Sequence, residues 1–246
     1  MHLISVRKYT FHVATLFFLL TLVLAVFSWL ANVYEANGVE NLLSAEGLRW
    51  ILSHVIDRFA QNPALGNLIV LMMGLGVFIH GGMYDATARF RTKSRKLSKK
   101  EHRALKMALW VLVLYGGVVA LNVWMPWTIM KNVTGSFVHS PLSKGWSCLL
   151  SGGIGFSGMG YGFVSGRLRT DTDVVKTMSG WVASNAEYLV TLFCMTQFFC
   201  AVEYMQLDVF LGLSSQTMGI ISQICYYASF VLFVFTNKKS LALTSF

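Results

Sequence analysis

Glu187 is the residue from which chemistry in this chain would have to start. It falls within the otherwise uncharged apolar stretch 177–202, and an ionised carboxylate at mid-bilayer costs roughly 2.5–3.5 kcal/mol on insertion scales. Such an acid must be protonated, paired or wetted, and the role that follows is binding a proton or a coupling cation. Ser184 and Asn185 beside it keep a second reading open, in which the span begins later and Glu187 lies among lipid headgroups. Gln197 and Gln206 can each donate and accept hydrogen bonds, to a ligand or to a neighbouring helix. Gly158, Gly162 and Gly166 recur at four-residue spacing, with Gly152, Gly153, Gly155 and Gly160 close by. One helix face then lacks Cβ atoms, so either a neighbouring backbone packs closely there or the helix loosens to line a substrate cavity. His80, beside Gly81 and Gly82, is either a proton relay or an interfacial histidine.

Other familiar chemistry is missing. No segment carries a phosphate loop, a zinc spacing or a nucleophile with its base, which argues against an enzyme, a cofactor and a bound metal. Cys148, Cys194, Cys200 and Cys225 all sit in apolar stretches and read as small hydrophobes. Asp171-Thr172-Asp173 before Val174-Val175 reads as a helix N-cap. The basic run from Arg89 to Lys106 suits anionic headgroups, although membrane topology alone would also explain it. Asn132-Val133-Thr134 matches a glycosylation acceptor.

These residues need elements to hold them, and composition says what kind. The 246 residues are 55% hydrophobic and 13% charged, against about 25% charged in an ordinary soluble domain. The net charge of +9 would suggest nucleic acid if it lay on one solvated face, but it lies between apolar spans. A helix crossing about 30 Å of hydrocarbon needs about 20 apolar residues. Six stretches qualify: 11–34, 63–84, 107–130, 146–166, 177–202 and 209–235. Residues 44–60 form a different element, with Leu48, Ile51, Leu52, Val55, Ile56 and Phe59 at helical spacing opposite Arg49, Asp57 and Arg58. That is an amphipathic helix, started by Ser44 as N-cap and lying in the interface or against the bundle. The expected fold is all-α, a single polytopic membrane domain over 1–246.

With the N-terminus inside, 16 of the 20 basic residues fall on the inner side, as cytoplasmic loops require. Both termini are therefore expected in the cytoplasm and the protein in the inner membrane.

Two stretches resemble the AbgT family, the p-aminobenzoyl-glutamate transporters. Ser44-Ala-Glu-Gly-Leu-Arg-Trp-Ile-Leu52, leading into Pro63-Ala-Leu-Gly66 and Leu71-Met-Met-Gly-Leu-Gly-Val77, is similar to the family's interfacial helix and following span. Leu97-Ser-Lys-Lys-Glu101, Arg103-Ala-Leu105, Ser140-Pro141, Gly158-Met-Gly-Tyr-Gly162, Asp173-Val-Val175 with Met178, and Gln197-Phe198 follow in the family's order. The departures are equally specific. Family members are longer and built as two related halves, each with a re-entrant hairpin near the substrate site. Here Met83-Tyr-Asp-Ala86 passes almost directly into the basic run, and the chain reaches Phe246 without the second hairpin. The family's acid after Gly-Val is Ile79 here, and its Ser-Asn after the Gln-Phe helix is Met205-Gln206.

The resemblance implies a secondary transporter of p-aminobenzoyl-glutamate or a related aromatic amino-acid conjugate, coupled to a proton or sodium gradient. Its substrate-binding candidates are Glu187, Gln197, Gln206, Gly158 and Gly162, completed by a second copy of the chain or by a full-length relative. The alternative is a degenerate or accessory membrane protein that does not itself transport. The bilayer is the expected surrounding, and no nucleic-acid partner is expected.

Overall fold

The computed structural model of the chain describes residues 12–35, 38–92, 98–125, 129–132, 135–137 and 140–243. Among them all regular structure is helical. The helices are α1 (Val13–Val33), α2 (Ala45–Ala60), α3 (Pro63–His80), α4 (Met83–Thr92), α5 (Lys99–Trp124), α6 (Pro141–Ser165), α7 (Asp171–Ser184), α8 (Ala186–Tyr204), α9 (Leu207–Phe210) and α10 (Ser215–Leu243). Among the described residues five stretches are long and apolar enough to cross a bilayer: Val13–Val33, Ala45–His80, Lys99–Trp124, Ala186–Tyr204 and Ser215–Val234. The helix α6 has the length at 25 residues, but its seven glycines and five serines dilute its hydropathy.

Several expected boundaries move, each for a local reason. The span expected over 63–84 ends at His80, because Gly82 takes a left-handed conformation (φ +82°) that only glycine adopts freely. The span expected over 107–130 begins at Lys99, where Ser98 and Glu101 form a capping box. The span expected over 177–202 is two helices, broken at Asn185. The Asn185 side chain and its own N–H both donate to the Trp181 carbonyl, at 2.7 and 3.2 Å, and the Asn185 backbone leaves the helical region at φ −112°, ψ 18°. The span expected over 209–235 begins at Ser215, after the short α9 and Gly212 at φ +68°. Thr170 is the N-cap of α7, with Asp173 completing its capping box. Ser44 caps α2 as expected, accepting from Gly47 N–H at 3.0 Å. Val133 and Thr134 of the glycosylation match, and Arg7, Lys8, Lys93, Arg95, Lys96 and Leu97, lie outside the described residues.

The chain divides into two compact units, one of Met1–Leu65 with Ala186–Phe246, the other of Gly66–Asn185. In the first, α1 and α8 run parallel. Their starts meet at His12 and Glu187, and their ends meet in a cluster of Ala31, Val39, Leu42, Ala201 and Met205. Ser28, fully buried, ties this end together by accepting from Leu42 N–H at 3.0 Å. The amphipathic α2 packs antiparallel on α8 through Trp50–Tyr204 and Phe59–Phe193 ring contacts. On α10, the Tyr226 carbonyl accepts from Tyr188 Oη at 2.8 Å and the Phe230 ring packs edge-on to that of Tyr188.

In the second unit, α3 and α6 run parallel with almost nothing between their backbones. Ser147 Oγ donates to Asn67 Oδ1 at 2.7 Å, Ser151 Oγ donates to the Val70 carbonyl at 2.5 Å, and Gly158 faces the Phe78 backbone. The helix α5 packs antiparallel on the other side of α6. Tyr115 lies over Gly152 and Gly153 and donates to the Leu149 carbonyl at 2.9 Å, while Ala104 and Ala108 close on Tyr161.

Candidate functional site

The structure places the five candidate residues at four separate places. Glu187 stands in the first turn of α8, with a side chain 76% exposed and His12 Nε2 4.0 Å away. The break at Asn185 puts it at a helix start, the later-beginning span of its two readings, where the macrodipole favours a carboxylate. Gln206 lies beyond the other end of the same helix, exposed and in a left-handed conformation at φ +54°. Nineteen residues of rise, about 28 Å, separate it from Glu187, so the two do not share a site.

Gln197 occupies the middle of α8, where its Nε2 donates to the Val55 carbonyl of α2 at 3.0 Å. Beside it lies a small, partly open cavity of about 50 Å³ whose walls include Thr21, Trp50, His54, Gln197 and Cys200. That volume suits a water or two, whereas ligand cavities run from about 300 Å³ upward.

Next to Gln197, Thr196 joins a polar cluster that spacing alone did not reveal. Asn62 Nδ2 donates to Thr196 Oγ1 at 3.0 Å, and Asn62 Oδ1 accepts from Ala64 N–H at 3.0 Å, capping α3. The Tyr226 hydroxyl adjoins Thr196, Asn62 and Ser222. All three of Asn62, Thr196 and Tyr226 are buried. The one sequence signal was Asn62 directly before Pro63, an N-cap followed by proline at the first helical position.

Gly158 and Gly162 are both buried in packing. A Cβ on Gly158 would lie 3.1 Å from the Phe78 backbone, and one on Gly162 would strike the Leu168 side chain. α6 is continuous through both, so they serve close approach of elements rather than an opened backbone. The closest seam sets Ser147 against Asn67 of α3, and Ser151 and Gly155 against Gly74 of α3; these three small residues of α6 have a four-residue period of their own, one position off that of the glycines.

At the start of α5, the Glu101 carboxylate takes Arg89 Nη2 at 2.9 Å and Ser98 N–H at 3.0 Å. Arg167 reaches Asp85 at 3.7 Å. His80 is exposed, its Nδ1 3.4 Å from the Thr177 carbonyl. The Asp173 carboxyl accepts N–H donors from Arg169 and Thr170, which hold it below the usual carboxylate range. Among the described residues no three His, Cys, Asp or Glu side chains gather as metal ligands, and the four cysteines are unbridged.

Long apolar helices, interrupted at Gly82 and Asn185 and joined by side-chain hydrogen bonds, define a polytopic helical membrane protein. The family model described as "AbgT putative transporter family" matches residues 9–93 and 84–237, which together span most of the chain. The chain belongs to that family, whose members are transporters. Among the solved structures that share the fold are two transporters. The YdaH transporter of Alcanivorax borkumensis superposes with a TM-score of 0.71 at 17% identity, covering 81% of this chain and 72% of that one. MtrF of Neisseria gonorrhoeae, from a class of antimetabolite efflux pumps, superposes with a TM-score of 0.74 at 15% identity, covering 82% of this chain and 71% of that one. No curated protein matches the chain by sequence.

Proposed function

We propose that this chain is a secondary transporter of p-aminobenzoyl-glutamate or a related aromatic amino-acid conjugate, driven by a proton or sodium gradient in the inner membrane with both termini cytoplasmic. The observation that carries this reading is the family match across residues 9–237. The polar centre of α8 supports it: Thr196 and Gln197 both engage the α2–α3 segment from within a membrane-crossing helix, where polar side chains mark packing or passage. Gln197, on the wall of the small cavity, is the substrate-binding residue we favour. Glu187, at the exposed start of α8, suits ion or substrate capture at the mouth.

One observation favours a second reading. A cavity of about 50 Å³ beside Gln197 holds no aromatic conjugate, so a second copy of the chain or a longer relative must complete the site, or the chain is an accessory subunit. Vesicles containing only this chain, loaded against a proton or sodium gradient, should accumulate or expel labelled p-aminobenzoyl-glutamate, and Gln197→Ala should abolish the flux. Flux no greater than in empty vesicles defeats the transporter reading. Co-purification in fixed ratio with a larger transporter would then establish the accessory one.

A further inference from the structure

We infer that the exposed face of α5 binds one anionic phospholipid. At 3.6 residues per turn, Lys99, Arg103 and Lys106 fall within an arc of about 60° on this helix. Trp110, Val113, Leu114, Leu121 and Trp124 continue the same line, 57–89% exposed. The opposite face is closed by Ala104 and Ala108 against Tyr161.

Three physical features separate this stripe from a mere excess of charge. First, the cations are exposed, and no ion pair among the described residues engages them. The acids near them are committed elsewhere, Glu101 to Arg89 and Ser98, and Asp85 to Arg167. Second, Lys99 and Arg103 stand near the start of α5, where a cation opposes the macrodipole and an anion is favoured. A phosphate there relieves both the helix end and the unpaired cations. Third, the order along the helix is that of a phospholipid: cations over about 10 Å of rise, then an indole at headgroup depth, then aliphatic side chains along which acyl chains can lie. A topology signal needs only a count of Lys and Arg on one side. It does not need them aligned above an apolar track, and that track selects a lipid over a free anion.

The experiment is native mass spectrometry of the full chain in detergent, with equimolar dioleoyl phosphatidylglycerol and dioleoyl phosphatidylcholine. Preferential retention of phosphatidylglycerol is expected. Each cation near a membrane surface contributes about fivefold, so the K99Q/R103Q/K106Q variant should lose about a hundredfold in that preference. The R91Q/R169Q/K176Q variant removes the same charge off the stripe and should keep the preference. Equal retention of the two lipids, equal loss in both variants, or displacement by millimolar glycerol phosphate would each overturn the site. If the stripe variant does not fold, R103Q alone should lose about fivefold and R91Q nothing; equal losses overturn the proposal.

Discussion

Replacing Asn62 separates two contributions that this one side chain makes at the start of α3. Its Oδ1 caps the helix through Ala64 N–H, and its Nδ2 bridges to Thr196 on α8, both at 3.0 Å. Losing an N-cap costs about 1 kcal/mol. An interhelical hydrogen bond within a membrane protein averages about 0.6 kcal/mol, because the unfolded chain in lipid or detergent also finds partners. Thr196 Oγ1 keeps its own bond to the Leu192 carbonyl at 2.8 Å when Asn62 is gone, so no extra penalty for an orphaned hydroxyl applies. Asn62→Ala should therefore destabilise by about 1.6 kcal/mol, and Asn62→Ser, which keeps an acceptor for the cap but cannot reach Thr196, by about 0.6 kcal/mol. The assay is reversible unfolding in mixed micelles by a titrated denaturing detergent. A double-mutant cycle with Thr196→Val should return a coupling of about 0.6 kcal/mol. Equal losses for the Ala and Ser variants would refute the capping role, and zero coupling would refute the bridge.

The α3–α6 seam makes sharper demands. Gly74→Ala would put a Cβ 2.5 Å from the Ser151 carbonyl oxygen and should cost about 1–3 kcal/mol by overpacking, read as a fall in melting temperature in detergent. Gly117→Ala on α5 meets nothing within 4 Å, and removing a helical glycine should leave stability unchanged or raise it by up to about 1 kcal/mol. Arg58 and Glu203 pair at 3.0 Å with half-exposed side chains, so breaking the pair should shift unfolding by less than about 1 kcal/mol, the more so in high salt. Asp173 is held below its ordinary pKa in the folded chain, so its contribution is complete above the unfolded value and disappears as pH falls through the folded one. Amide protection at Arg169 and Thr170 should decline over that acid range, and in Asp173→Asn the decline should be absent.

Hydrophobic run length located most of the long helices but not their ends, because hydrocarbon forbids unsatisfied backbone and a crossing helix must be long and apolar, whereas where it starts and stops is decided locally. Ser44, Asp173 and Pro63 marked helix starts for equally local reasons, since capping depends on residues within one turn. The positions that misled were those where one polar side chain overrides periodicity. At Asn185 the backbone leaves the helical region within an apolar run (φ −112°, ψ 18°), and of the two readings that Ser184 and Asn185 left for Glu187 the break selects the one at a helix start. Gln197 was legible as a polar group in a span, but nothing along the chain discloses that its partner is the Val55 carbonyl, 142 residues earlier. Likewise Asn62 and Thr196 meet only because α2 turns back along α8. Which glycines touch a backbone and which face open space was decided by helix pairing alone: Gly74 and Gly117 sit in equally apolar stretches, and only the approach of α6 distinguishes them.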